Sequence, residues 1–267
     1  MNGIWVSLSA YGGVTTREAL AVLWAVGVRQ VELAIGVKPS PDTVEVLRQY
    51  GQQGMRYRAH HAIVWQEQRS FNLADSFDAR YFERLTDWLA AMDIIAYSVH
   101  AGSYHSSDDP AVAYTRFLDH VNQLSQLCRD RGIRLGVETM YPALSEDTSQ
   151  YLLQNTAQVG QLLHDLPDID LVVDMAHLNI WRTATISQKL QVLQIAQNRI
   201  LEIHISDNDG YRDSHTAVSD RTWWLDYAAM FPPSVAIVLE SRMNRQSVEQ
   251  VKQLVETTQA LIRRTYP

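Results

Sequence analysis

The chain has 267 residues, a formal net charge of −7 and a single cysteine, Cys128. Hydrophobic residues make up 46% and charged residues 20% of the sequence, which is typical of a globular protein. The lone cysteine excludes an internal disulfide and a cysteine-built zinc finger, and the acidic charge gives no general attraction to nucleic acid.

Short runs rich in Val, Ile and Leu alternate with longer segments of helical spacing along the chain. The predicted strands are Gly3–Ser7, Gln30–Ala34, Arg56–Ala62, Ile94–His100, Arg134–Glu138, Asp170–Asp174, Ile200–Ser206 and Val235–Glu240. The predicted helices are Thr16–Val26, Pro41–Tyr50, Ala79–Met92, Pro110–Arg131, Asn155–Asp165, Ile186–Asn198, Trp223–Met230 and Ser247–Arg263.

This alternation predicts a parallel sheet, because only crossover helices return the chain to the same sheet edge. Eight strand–helix units in about 260 residues match the size of a (β/α)₈ barrel. The alternative is an open doubly wound sheet, but no glycine-rich phosphate turn follows the first strand. Since no linker or charge run marks a second domain, the sequence predicts an α/β protein in which residues 1–267 form a single (β/α)₈ TIM barrel.

Neither a secretory signal nor a membrane span is predicted. The segment 1–7 lacks a basic region followed by an apolar stretch. The longest apolar run, residues 19–28, is too short to cross a bilayer. We therefore expect a cytoplasmic protein without a membrane partner.

A histidine or a carboxylate stands at the end of each predicted strand from the third to the eighth. These strand-end residues are His60 and His61, His100, Glu138, Asp174 with His177, His204, and Glu240. One such residue alone is commonly a polar cap on a buried strand. Several carboxylates gathered at a barrel mouth would repel one another unless a cation compensated their charge. Imidazoles mixed with carboxylates suit Zn²⁺ or Mn²⁺, so the set predicts a divalent metal site.

Local spacing adds candidates to this set. In Asp213-Ser214-His215, alternate residues of an extended segment point the same way, in the long loop after strand seven. Strand alternation sends only one of His60 and His61 inward, and we favour His61 as the ligand. Glu202 lies two residues before His204 and should also face the barrel, but we assign it no role in the site. Glu32 is likewise left unassigned.

Several short motifs carry a resemblance to a known family. They are His61-Ala62 with Asn72-Leu73-Ala74, Val99-His100-Ala101-Gly102-Ser103, Val137-Glu138, Val173-Asp174-Met175-Ala176-His177-Leu178-Asn179, His204-Ile205-Ser206-Asp207-Asn208-Asp209-Gly210 with Asp213-Ser214-His215, and Leu239-Glu240. Together they resemble the xylose-isomerase-like TIM barrels. That superfamily includes sugar isomerases and epimerases as well as class II apurinic endonucleases.

The resemblance implies roles for nine residues. Four of them match the site that sugar epimerases use for one divalent metal: Glu138, Asp174, His204 and Glu240. The other five match further ligands with which the endonucleases hold three zinc ions: His61, His100, His177, Asp213 and His215. We therefore expect one to three Zn²⁺ or Mn²⁺ ions per chain. The sequence departs from the family pattern at residues 218–224, which leaves the usual substrate in doubt.

Two reactions fit this set. The first is isomerisation or epimerisation of a sugar or sugar phosphate, in which Glu138 and Glu240 act as base and acid beside a metal-polarised carbonyl. His177 would then hold a substrate hydroxyl. The second is phosphoester hydrolysis with two or three zinc ions, which the intact pair Asp213 and His215 favours. A metal-dependent binding or scaffold protein is a third reading.

We expect the isomerase or epimerase, with a small sugar as partner and no nucleic acid. The scattered arginines and the acidic charge weigh against a DNA-gripping hydrolase. The sequence leaves the oligomeric state open, including a homo-oligomer.

Overall fold

The computed structural model describes residues 4–65, 69–143, 148–244 and 246–265. Its strands are β1 (Trp5–Ser7), β2 (Gln30–Leu33), β3 (Arg56–His60), β4 (Ala96–His100), β5 (Ser103–His105), β6 (Arg134–Glu138), β7 (Ser149–Tyr151), β8 (Asp170–Asp174), β9 (Ile200–Ile205) and β10 (Ala236–Leu239). Its α-helices are α1 (Thr16–Ala25), α2 (Thr43–Gln52), α3 (Ala79–Ala91), α4 (Pro110–Arg129), α5 (Thr156–Asp165), α6 (Met175–Asn179), α7 (Ile186–Ile195) and α8 (Val248–Thr265).

Eight of these strands are parallel and close into a barrel in the order β1-β10-β9-β8-β6-β4-β3-β2. The predicted (β/α)₈ barrel is therefore confirmed. The helix expected after the seventh barrel strand is a 3₁₀ segment, Leu225–Met230. Gly3, the first residue of the first predicted strand, lies outside the described residues.

Two short strands and one short helix were not predicted. β5 and β7 belong to the loops that follow β4 and β6, and they pair with each other in an antiparallel sheet. α6 begins directly after β8, where the Asp174 side chain accepts a hydrogen bond from the backbone N–H of His177. All three elements lie on the side of the barrel where the parallel strands end.

Bulky branched residues commonly fill the interior of TIM barrels. In this protein the barrel strands also carry buried charged side chains, among them Glu32, Glu202 and His204. A small apolar cluster of Ala96, Val172 and Leu201 packs on β4, β8 and β9. A register shift in the pairing of β8 with β9, between Leu171 and Val172, leaves Leu201 without a partner residue. Such a bulge re-aims side chains and allows both Leu201 and the next residue, Glu202, to face inward.

The apolar core lies between the strands and the surrounding helices. Fully buried aromatic side chains include Phe82, Phe117 and Trp224. Within the described ranges, no helix combines the length and the apolar composition that a transmembrane span requires.

Gly36 allows two loops at the barrel mouth to cross closely. A Cβ at this position would lie 2.4 Å from the carbonyl oxygen of Leu8 and 2.8 Å from the Cα of Ser9. Both are backbone atoms, so rotation of a side chain cannot relieve the clash. The close approach of these two loops also places the Ser9 side chain at the barrel mouth, where its hydroxyl lies 3.1 Å from Oε1 of Glu240.

We expect Gly36→Ala to lower the free energy of unfolding by about 1–3 kcal/mol, as overpacking commonly does. Urea unfolding followed by circular dichroism measures the change. The matched control is Gly160→Ala in α5, where nothing lies within 4 Å of the added Cβ. That substitution should stabilise the protein by about 0.5–1 kcal/mol. Equal stability of the Gly36→Ala variant and the wild type would contradict the close crossing.

Candidate metal centre

Four buried side chains converge where the strands end. Glu138 is the last residue of β6, Asp174 is the last residue of β8, and His204 lies near the end of β9. Glu240 follows β10 directly. Each of the four offers a ligand atom within 4.8 Å of the others. The parallel barrel explains this convergence, because it delivers the carboxyl ends of all its strands to one rim.

His204 lies between the two glutamates of this cluster. Its Nδ1 atom is 3.1 Å from Oε1 of Glu138 and 3.6 Å from Oε2 of Glu240. In the barrel, β9 and β8 separate the strand that ends in Glu138 from the strand that precedes Glu240. The two carboxylates therefore reach the cluster from well-separated positions on the rim.

Burial and the neighbouring charged groups shift the pKa values of these carboxylates in opposite directions. Burial raises the pKa of Asp174 to about 6, and the charges of Glu138 and Glu240 add to this despite the nearby His177. Burial also acts on Glu138, but its contacts with His60 and His204 outweigh it and lower its pKa to about 2. The protein groups alone therefore leave one carboxylate of the cluster without adequate positive charge.

Several buried polar atoms of this region have no hydrogen-bond partner among the described residues. They include Oε2 of Glu138, Oδ2 of Asp174, Oδ1 of Asp213 and Nδ1 of His215. A buried acceptor without a partner costs free energy, and a carboxylate costs more than a neutral group. A divalent cation would satisfy these atoms, and the mixture of carboxylates and imidazoles suits Zn²⁺ or Mn²⁺. The residues present therefore fit a metal ion.

Both histidines at the end of β3 line the cavity. His60 is the last residue of the strand, and its Nε2 is 3.0 Å from Nε2 of His100 and 3.7 Å from Oε2 of Glu138. His61 adopts a positive φ of 48°, so strand alternation no longer governs where its side chain points. Of the two, His60 joins His100 and Glu138 in a group that could hold a metal.

His61, which we favoured as the ligand, packs against aromatic rings. Its ring stacks on that of His100 at a centroid distance of 3.9 Å and lies 4.4 Å from the ring of Phe71. Its Nδ1 accepts a hydrogen bond from the backbone N–H of His100. Burial, with His60 beside it, lowers the pKa of His61 to about 3, so the ring is neutral at pH 7. Its role as a ligand stays a prediction.

The remaining candidates form a third group at the mouth. The Oδ2 atom of Asp213 is 2.9 Å from Nε2 of His215 and 3.4 Å from Nε2 of His177. Nδ1 of His177 lies 2.7 Å from the carbonyl oxygen of Thr139. Because a carbonyl only accepts, Nδ1 carries the proton and Nε2 is directed toward Asp213.

The loop after β9 is held in place by backbone pairing. Asp207 and Thr216 exchange two backbone hydrogen bonds, of 3.0 and 2.8 Å, which brings both ends of the loop beside the barrel. Burial disfavours protonation of His215, but the carboxylates of Asp213 and Glu240 outweigh it and raise the pKa of that imidazole to about 9. The loop thus adds one anion and one cationic imidazole to the mouth.

These groups surround a cavity of about 150 Å³. Tyr141 and Tyr151 form part of its wall, with their ring centroids 5.2 Å apart, and the ring of Tyr141 lies 4.8 Å from that of His177. Tyr151 belongs to β7, so the pairing of β7 with β5 fixes this wall. The cavity therefore combines charged groups at its base with aromatic surface at its side.

The chain is similar to known proteins in both sequence and fold. A sequence model of the family described as xylose isomerase-like TIM barrel matches residues 25–250. No curated protein matches the sequence. A solved D-tagatose 3-epimerase-like protein has a TM-score of 0.74 and 16% identity, covering 98% of both chains.

Other solved structures share the same fold. A putative xylose isomerase from Rhodospirillum rubrum has a TM-score of 0.73 and 16% identity, covering 99% of both chains. The 3-keto-D-glucoside 4-epimerase from E. coli has a TM-score of 0.70 and 15% identity, covering 98% of both chains. At such low identity these likenesses establish the barrel fold.

We expect a divalent metal to stabilise the protein. At a concentration of 100 times its Kd, Mn²⁺ or Zn²⁺ should add about 2.7 kcal/mol to the free energy of unfolding. For a chain of this size that corresponds to a rise in Tm of about 5–10 °C. Differential scanning calorimetry after treatment with a chelator, with and without metal, measures it. A variant carrying Asp174→Asn and Glu240→Gln should lose the shift, and an unshifted wild type would argue against the centre.

Proposed function

We propose that this chain, which belongs to the xylose isomerase-like TIM barrel family, is a metal-dependent isomerase or epimerase of a sugar or sugar phosphate. The observation that carries the proposal is the buried cluster in which Glu138 and Glu240 flank His204. The names of the tagatose and glucoside epimerases that share the fold support a sugar as the substrate class.

The metal would be held by the same four residues that form the cluster. A divalent ion bound by Glu138, Asp174, His204 and Glu240 would act as a Lewis acid on a substrate carbonyl. Asp174 accepts the backbone N–H of His177 through Oδ1, which leaves Oδ2 available as a ligand. Similarly, Oε1 of Glu138 lies against His204, while its Oε2 has no hydrogen-bond partner among the described residues.

Glu138 and Glu240 would move the proton. One carboxylate removes a proton from the carbon next to the carbonyl, and the other returns a proton to that carbon or to its neighbour. With its pKa near 2, Glu138 is deprotonated at neutral pH and can accept a proton. Contacts with His204 and His215 outweigh burial and lower the pKa of Glu240, so Glu240 must first take up a proton from solvent before it can return one, and Glu138 afterwards releases its proton to solvent. Their separation on the rim allows attack on opposite faces, as epimerisation requires.

His177 would orient the substrate. Its hydrogen bond to the carbonyl oxygen of Thr139 fixes the ring, and its Nε2 is directed toward the cavity beside Asp213. In this proposal, Nε2 contacts a substrate hydroxyl next to the reacting carbon. The aromatic wall formed by Tyr141 and Tyr151 would pack against the C–H face of the sugar ring or chain.

A multi-zinc phosphoesterase is the second candidate, and two further groups of ligands favour it. His60 and His100 join Glu138 in a group that could hold a metal, and His177 and His215 both contact Asp213. Together with the four-residue cluster, these groups supply enough ligands for more than one ion. A pair of metal ions can activate a bridging hydroxide and stabilise a leaving oxygen.

Glu138→Gln and Glu240→Gln should each lower the turnover of a sugar substrate by about 10²–10⁴-fold, because each removes one proton-transfer group. Turnover of a panel of free and phosphorylated ketoses, run in D₂O, measures both the rate and deuterium incorporation at the reacting carbon. Metal content is measured in parallel to separate loss of the base from loss of the ion. Glu249→Gln, an exposed carboxylate on α8, is the control. Wild-type turnover by Glu138→Gln would contradict the assignment.

Asp213→Ala distinguishes the two candidates. A one-metal epimerase should keep its metal and lose at most about 10–100-fold in turnover, because Asp213 would then only orient His177. A multi-zinc hydrolase should lose nearly all activity together with bound zinc. Elemental analysis gives the matching readout, with one metal per chain for the epimerase and up to three for the hydrolase. Loss of phosphoester hydrolysis and of a second ion in this variant would favour the hydrolase.

A further inference from the structure

A second layer of charged groups lies directly beneath the candidate metal centre. The Nε2 atom of His204 faces away from the cluster and is 3.2 Å from Oε2 of Glu32 and 3.5 Å from Oε1 of Glu202. Glu32 comes from β2 and Glu202 from β9, and both are almost completely buried inside the barrel. The sequence assigned neither glutamate to the site.

The two glutamates differ in what else they contact. Glu202 is bound by the guanidinium of Arg58, with Nε 2.5 Å from Oε2. Arg58 also donates a hydrogen bond to the carbonyl oxygen of Leu201, so its position is fixed by two contacts. By contrast, neither oxygen of Glu32 has a hydrogen-bond partner among the described residues. The Nε2 atom of His204 likewise has no hydrogen-bond partner among the described residues and lies 3.2 Å from Oε2 of Glu32, so the two unpartnered atoms face each other.

A buried carboxylate with so few contacts is costly, so its presence requires a reason. Replacing such groups by apolar residues is often neutral or stabilising, because burial of an ion costs several kcal/mol. Glu32 thus contributes little to the stability of the barrel. Its position against the outer nitrogen of a candidate ligand histidine indicates a role in the site above it.

We propose that Glu32 is a positioning residue that accepts the Nε2–H of His204 and so keeps the Nδ1 lone pair directed at the metal centre. An imidazole that binds a cation through Nδ1 must carry its proton on Nε2, and a carboxylate acceptor fixes both that tautomer and the ring orientation. Glu202 is farther away and is already bound to Arg58. The inference rests on the proposed metal centre, but it is independent of the reaction carried out there.

The test compares Glu32→Leu, which removes the acceptor at similar volume, with Glu32→Gln, which keeps a carbonyl acceptor. The Kd for Mn²⁺ is measured by electron paramagnetic resonance titration of the metal-free proteins. Glu32→Leu should bind Mn²⁺ about 10–100-fold more weakly than the wild type, and Glu32→Gln should recover most of the loss. The Tm of metal-free Glu32→Leu should be no lower than that of the metal-free wild type. If the role of Glu32 were purely structural, this Tm would fall.

Asp170→Asn is the matched control. Asp170 is a strand carboxylate bound to a single arginine, Arg134, at the opposite end of the barrel. Its substitution should leave the Kd for Mn²⁺ unchanged. A wild-type Kd in folded Glu32→Leu would overturn the role of Glu32 and leave the metal centre standing. If the wild type bound neither Mn²⁺ nor Zn²⁺, the proposed function would fail, and the role of Glu32 with it.

A second measurement covers the case in which Glu32→Leu does not fold. Nitrogen-15 NMR of the histidine rings in the zinc-loaded wild type reports which nitrogen of His204 carries the proton. The proposal expects protonation at Nε2, with slow exchange of that proton with solvent. A proton on Nδ1 of His204 would overturn it.

Discussion

The structure depends on the burial of like charges at one end of a rigid barrel. Glu138, Asp174 and Glu240 are each at most 4% exposed, and their ligand atoms lie within 4.8 Å of one another and of His204. Carboxylates in such an environment repel one another and lose the solvation of bulk water, so the arrangement is unfavourable for the protein alone. The backbone enforces it nonetheless, because each residue ends or follows a strand whose hydrogen bonds fix its place. A cation bound by these residues would relieve that repulsion, and the group is one that could hold a metal ion.

The same constraint organises the loops above the rim. The pairing of β5 with β7, and of Asp207 with Thr216, ties the loops that carry Tyr151 and Asp213 to the barrel mouth. Loops that support a site on a rigid scaffold are where TIM barrels differ in substrate. The metal cluster thus depends on the strands, while the shape of the cavity depends on the loops. A change of substrate within this family can therefore leave the four-residue cluster intact.

The sequence predicts the barrel well, because a strand pattern followed by a helical pattern recurs along the chain, although the segment after the seventh barrel strand folds as a 3₁₀ helix. It also predicts which strands end in a histidine or a carboxylate. It does not predict the choice between His60 and His61, since the strand ends at His60 and the positive φ of His61 breaks the alternation on which that choice relied. The three-residue strands β5 and β7 leave no periodicity to detect, because each is defined by a distant partner. The sequence does not predict a role for Glu32 for a similar reason: only the closed barrel brings β2 and β9 close enough for their side chains to meet in the interior.

The polar groups inside the barrel explain how the ring of His204 is held in one orientation at the rim. In an apolar barrel, only packing contacts would hold the imidazole ring, and the N–H that faces the barrel interior would lack an acceptor. In this protein, Nδ1 of His204 faces three carboxylates of the rim, and Nε2 faces Glu32 with Glu202 behind it. Arg58 pairs with Glu202, so Glu32 is the carboxyl group that is left to orient the ring. The bulge in β9 turns Glu202 inward, beneath the residues that would touch an ion. It therefore contributes to the arrangement of charged groups that surrounds the His204 ring.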